Sequence, residues 1–245
     1  MRALALAVAL LLAGGPAAAA CRLALALGLD VSGSVNDEEY DLQRTGLAQA
    51  LLAPEVQAAF LSFPENPAEL AVFEWSGLHS RVAVLPWTVI GDAADLAAAA
   101  SLLTTPGRRP REPETAVGLA MLHGAGLLAQ RGDCWRRVLD ISADGMSNIG
   151  PRPREARRDP RLGGVTINAL VVGLQTPPMA GYREDSIAEL SAYFRAEVIQ
   201  GPDAFIQVAL GYHDYRVAMQ KKLLKELETT PVGWLAPVRR LAMLR

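Results

Sequence analysis

Residues 23–30, Leu-Ala-Leu-Ala-Leu-Gly-Leu-Asp, form an apolar run with no polar face. A strand with one face in water alternates apolar and polar residues. This run does not, so it reads as a central strand covered on both faces, with helices on either side of a sheet. The rest of the chain supplies those helices. Asn36 with Glu39 makes a capping box for a helix to about Leu52, and Pro54–Phe63 adds a short helical piece. Glu69–Trp75 and Arg81–Leu85 alternate around Ser76-Gly-Leu-His79, which predicts an antiparallel hairpin at a sheet edge. Asp92 caps a helix over 93–103, a loop rich in Pro, Gly and Arg spans 104–114, and 115–130 has helical spacing. Strands follow at 135–142, 165–172 and 204–208, and helices at 185–195 and 212–228. A short helix within loop is expected in the Arg-rich 151–160. The pattern predicts an α/β fold: a doubly wound, mostly parallel six-stranded sheet with one antiparallel edge strand.

Composition narrows the function. The 245 residues carry 24 Lys+Arg and 26 Asp+Glu, a net charge of −2, which suits nucleic acid poorly. Hydrophobic residues at 51% exclude a disordered chain. With two cysteines, no C-x-x-C and no H-E-x-x-H, the sequence argues against a zinc site. Met1-Arg2, the apolar Ala3–Ala13, the break at Gly14-Gly15-Pro16 and the small residues Ala17–Ala20 follow the secretory signal pattern. The apolar run is too short for a membrane span, and no later segment is long enough without charges. The expected organisation is a signal peptide over 1–20, one domain over 21–228 and a loose basic tail over 229–245, in a secreted or periplasmic protein. Cys21, directly after the small residues, raises a lipid anchor as the lesser alternative. The Leu expected three positions earlier is Ala18.

Ligands in doubly wound sheets bind beyond the carboxyl ends of the strands. Two strands here end in polar clusters: Asp30, Ser32 and Ser34 after the first, Asp144-Gly145 after the fourth. Alternate side chains leaving a strand end can converge on one point, and Gly33 lets the backbone curl. Thr115 lies at a predicted helix start between the clusters, with Thr104 and Thr105 as alternatives in the same loop. Carboxylates and hydroxyls are hard oxygen donors that suit Mg²⁺ or Mn²⁺.

Asp30-Val-Ser-Gly-Ser34, Thr115 and Asp144-Gly145 resemble the metal-ion-dependent adhesion site (MIDAS) of von Willebrand factor type A domains. Longer stretches, Val31–Tyr40, Phe73–Gly77, Pro86–Ile90, Asp140–Gly145 and Gly201–Phe205, resemble a bacterial exported group of unknown function within that class. The resemblance covers 22–228. It implies that Ser32, Ser34 and Thr115 touch the metal through their hydroxyls and that Asp30 and Asp144 act directly or through water. Two carboxylates at most cancel the ion's charge, so the metal would still attract an acidic side chain of a protein partner. Pro113-Glu114 departs from the glycines usual in the family, and Glu114 could weaken that pull. The resemblance thus implies a non-enzymatic binding module. The alternatives are a metal-dependent hydrolase on the same site and a structural domain with a silent one. Asp-x-Asp phosphatases need an acid where Ser32 stands, and His79, His123 and His213 form no catalytic set.

Cys21 precedes Asp30 by nine residues and Cys134 precedes Asp144 by ten. If strands one and four are neighbours, as in the usual doubly wound order, both cysteines lie near the lower edge at disulfide distance. A Cys21–Cys134 disulfide is expected, the alternative being two unpaired core cysteines. The Arg run at 152–161 follows the fourth strand, where it could rim the metal face or simply meet solvent.

Overall fold

The computed structural model describes residues 21–107, 111–173 and 182–228. The expected signal peptide over 1–20 and tail over 229–245 lie outside the described residues. Six strands form one sheet: β1 (Leu23–Asp30), β2 (Ala68–Trp75), β3 (Arg81–Ile90), β4 (Arg136–Ala143), β5 (Val165–Val172) and β6 (Ile206–Ala209). Their order is β3-β2-β1-β4-β5-β6, all parallel except β3, which pairs antiparallel with β2 at one edge. This is the expected fold.

Helices α1 (Asp37–Leu51), α2 (Pro54–Phe60), α3 (Ala93–Leu103) and α7 (Tyr215–Leu227) cover one face. Helices α4 (Val117–Leu128), α5 (Pro153–Ala156) and α6 (Tyr182–Glu197) cover the other. β1 is buried throughout, but its residues are sorted by size. Leu23, Leu25, Leu27 and Leu29 enter the core under α1 and α7, while Ala24 and Ala26 face α4. A Cβ on Gly28 would lie 2.7 Å from the Phe73 ring, so the glycine makes room for an aromatic from the neighbouring strand.

Capping residues set the helix starts. Asn36 and Glu39 form the expected box on α1, and Asp92 and Asp95 form another on α3. Sequence spacing misjudged several boundaries, three of them for a clear reason. α4 begins at Val117, leaving Thr115 in the preceding loop. β3 continues past Leu85 to Ile90 because Pro86, lacking a donor, is tolerated on an edge strand. β6 starts two residues late because Gly201 (φ 98°) and Asp203 (φ 62°) turn the chain first.

Two charged networks are buried on the α1/α7 face. Tyr40 Oη donates to Glu74 Oε1 at 2.8 Å, and Arg44 Nη1 donates to Tyr40 Oη at 3.0 Å. Lys222 Nζ lies 3.2 Å from Asp140 Oδ2 and 3.0 Å from Glu226 Oε1, which also accepts from Asn168 Nδ2 at 2.8 Å.

At the lower edge β1 and β4 stay in register past their ends, Leu23 opposite Arg136, so Cys21 faces Cys134 directly. The two form a disulfide, with Cα atoms 4.5 Å apart and a sequence separation of 113. The one-residue mismatch in the cysteine spacings falls at the upper edge, where Asp144 extends one residue beyond the partner of Asp30. Arg22 donates to the carbonyls of Ala59 and Phe60, and Arg136 donates to those of Glu226 and Glu228. The first and last described residues therefore lie at the same end of the molecule.

Candidate metal centre

The upper edge gathers loops from the ends of β1, β2 and β4. Asp30 closes β1. Its carbonyl accepts from the buried Gln43 Nε2 of α1 at 2.9 Å, and its Oδ1 accepts the Ser32 amide at 2.8 Å. That local turn brings the serines round. Ser32 Oγ and Ser34 Oγ are 3.3 Å apart, and Ser34 Oγ donates to Asp144 Oδ1 at 2.7 Å, across 110 residues of sequence. Asp30 and Ser32 are fully buried, whereas Ser34 is exposed, so the group opens to solvent on the serine side.

Thr115 joins from the loop before α4. Its amide donates to Asn148 Oδ1 and its carbonyl accepts the Asn148 amide, both at 2.9 Å. Thr115 Oγ1 faces the turn after Asp144, 4.0 Å from where a Cβ on Gly145 would stand. The structure thus brings Asp30, Ser32, Ser34, Thr115 and Asp144 to one edge of the sheet.

Two oxygens there stand out. Asp30 Oδ2 and Asp144 Oδ2 are buried and have no hydrogen-bond partner. Burial first, and the charge of Asp144 second, hold the Asp30 carboxyl well above the usual carboxylate range. Burial also raises Asp144, against the Ser34 hydrogen bond, which pulls it down. A divalent cation between them would reverse both penalties, because it is the largest charge in such a site and favours ionised carboxylates. The donors are carboxylates and hydroxyls, without nitrogen or sulfur, and they fit a hard divalent ion.

Sequence reasoning missed the residues that hold these loops. Arg111 Nη1 donates to the carbonyls of Val31, Ser32 and Val35 at 2.9, 2.6 and 2.6 Å, which pins the serine loop. Gly33 N donates to Pro113 O at 2.9 Å, and a Cβ on Gly33 would stand 3.0 Å from that oxygen. Close approach of the middle loop is therefore what requires glycine there. Glu112 Oε2 accepts from the His79 and Ser80 amides at 2.6 and 3.0 Å, tying the same loop to the β2–β3 turn. Those bonds, from His79 first, lower the Glu112 pKa. The Arg run is largely engaged below the rim: Arg152 and Arg154 pair with Glu197, and Arg157 donates to the Ala196 and Ile199 carbonyls. His123 packs against Phe73, ring centroids 4.8 Å apart.

A family model described as DUF1194, protein of unknown function, matches residues 20–231. The chain belongs to this family. No curated protein matches the DUF1194 chain. Its structural likenesses place the fold. It is similar to the pilus adhesin SpaC from Lactobacillus rhamnosus GG, at 14% identity over 84% of this chain and 31% of that one, TM-score 0.60. It is also similar to proximal thread matrix protein 1 from the mussel byssus with a zinc-occupied MIDAS motif, at 14% identity over 84% and 48%, TM-score 0.56. A third likeness is to a von Willebrand factor type A structure from Catenulispora acidiphila, at 12% identity over 84% and 43%, TM-score 0.55. The DUF1194 chain spans less than half the length of each of these three structures. Its fold is that of von Willebrand factor type A domains.

Proposed function

We propose that this chain is an exported, divalent-metal-dependent binding module that captures an acidic side chain of a protein partner. The observation that carries this reading is the pair of buried, unpartnered carboxylate oxygens, Asp30 Oδ2 and Asp144 Oδ2. Two carboxylates sharing a buried site repel each other, and a cation between them removes the repulsion. Asp30, Ser32, Ser34, Thr115 and Asp144 would hold the ion. Mg²⁺ or Mn²⁺ suits an all-oxygen set better than the zinc found in the mussel protein. Two negative charges at most neutralise the ion, so it keeps an attraction for an Asp or Glu arriving from the solvent side, where Ser34 is exposed.

Adhesin and matrix proteins among the structural likenesses favour binding over catalysis. A hydrolase would need a nucleophile and a base at this edge. The His123 ring is occupied with Phe73, and Ser32 stands where a second acid would be required. Among the described residues no helix is long and apolar enough to cross a membrane. Export rests on the N-terminal sequence pattern.

Calorimetric titration with Mg²⁺ and Mn²⁺ tests the centre, and a pull-down from cell-envelope extract tests the function. The expected result is partner capture that needs Mg²⁺ and is lost in Asp30→Ala with the fold retained. Failure of the wild type to take up either ion, or undiminished capture by Asp30→Ala, would overturn the reading. Phosphoester or ester turnover abolished by Asp30→Ala would replace it with the hydrolase.

A further inference from the structure

A fourth chain segment reaches the same carboxylates. After β6 the chain turns at Gly211 (φ 99°), and Asp214 Oδ2 accepts the Leu210 amide at 3.0 Å, which fixes the turn. The turn drives Tyr212 inward until it is 2% exposed. Its ring stacks on Tyr215, centroids 6.1 Å apart and planes 16° from parallel. The two phenols then differ. Tyr215 Oη is 2.9 Å from Ser142 Oγ, whereas Tyr212 Oη, equally buried, meets no acceptor in good hydrogen-bonding geometry. Burial, then the charges of Asp144 and Asp30, hold the Tyr212 hydroxyl far above the ordinary phenol range, so it stays a neutral donor. Ser142 and Asp144 stand two residues apart on one side of the β4 end, so the ring stacked on Tyr215 lies toward Asp144, whose charge acts on its hydroxyl. Asp30 Oδ2, Asp144 Oδ2 and Tyr212 Oη, from three segments, are thus each buried without a hydrogen-bond partner.

We infer that Tyr212 is a positioning residue of the proposed metal centre, its hydroxyl donating to the Asp144 carboxylate and holding it turned toward the cation. The inference rests on the metal-site reading above. Hydrogen-bond donors behind a metal ligand fix its orientation, and their loss typically weakens metal affinity ten- to a hundred-fold. Phenylalanine at this position keeps the stacked ring and removes only the hydroxyl.

The test is a Mn²⁺ titration, with free ion followed by electron paramagnetic resonance, on wild type, Tyr212→Phe and Tyr215→Phe. Tyr212→Phe is expected to bind Mn²⁺ about ten-fold or more weakly while Tyr215→Phe stays within about two-fold of wild type. Metal-free Tyr212→Phe is expected to melt no lower than wild type. Wild-type affinity in Tyr212→Phe, or equal weakening in both variants, would overturn the inference and leave the metal centre standing. Absence of Mn²⁺ binding by the wild type would instead bring down the centre itself. Should Tyr212→Phe fail to fold, ultraviolet difference spectra of Tyr215→Phe, which keeps Tyr212, decide. A tyrosine ultraviolet difference signal on Mg²⁺ addition supports the inference, and its absence refutes it.

Discussion

Asp30 and Asp144 each leave one oxygen buried without a partner, and burial raises both pKa values. That arrangement strains a metal-free protein and suits a metal-loaded one. Mg²⁺ at a hundred times its dissociation constant is therefore expected to stabilise the fold by about 2.7 kcal/mol. In Asp30→Asn the Mg²⁺-dependent rise in melting temperature should vanish while the metal-free midpoint is not lowered, since one buried charge has gone. Differential scanning calorimetry with and without chelator checks both halves. Arg111 sits one shell further out. Replacing it with Met keeps the aliphatic stem but frees three carbonyls of the serine loop. A loss of about 2 kcal/mol in urea unfolding is expected, with weakened Mg²⁺ uptake. These two kinds of residue were not equally legible. Asp30, Ser32, Ser34 and Asp144 were readable as a cluster because their polar side chains follow the ends of apolar strands. Arg111 and Tyr212 act on backbone carbonyls or through one turn, and neither leaves a mark in local sequence.

The elements themselves were largely written in hydrophobic spacing and caps, as with the Asn36–Glu39 box that starts α1. What spacing could not reveal was which polar residues the elements bury. Asp140 sits in mid-strand on β4 and is almost fully buried against Lys222 and Glu226 of α7. Burial, only partly opposed by Lys222, pushes its carboxyl up to about 7 from 3.8. An acid raised in the folded state contributes stability that is whole below its unfolded pKa and lost as pH rises through the folded one. Wild type should therefore lose stability relative to Asp140→Asn between pH 5 and pH 8, as read from urea midpoints at the two pH values. Equal midpoint differences at both would mean that Asp140 stays ionised throughout. Lys222 and Glu226 were hidden for the same reason: at helical spacing, a charged pair four residues apart reads as a solvated face.

At the scale of the whole molecule, the sheet order and the disulfide follow from one register. Cys21 and Cys134 close a separation of 113 residues between the strands that also carry Asp30 and Asp144. Joining such distant positions restricts the unfolded chain, so Cys21→Ser with Cys134→Ser is expected to lose about 4 kcal/mol. Guanidinium unfolding of the double variant measures it. Mg²⁺ uptake by the folded fraction should survive, because the bond lies at the opposite edge from the oxygens. That polarity has a mechanical side. Cys21 and the Glu228 carbonyl both sit at the lower end, and nine residues of extended strand, about 30 Å, part Cys21 from Asp30. A tether fixed at either place would pull along the strands rather than across them, and would hold the end that carries Asp30 and Asp144 outermost.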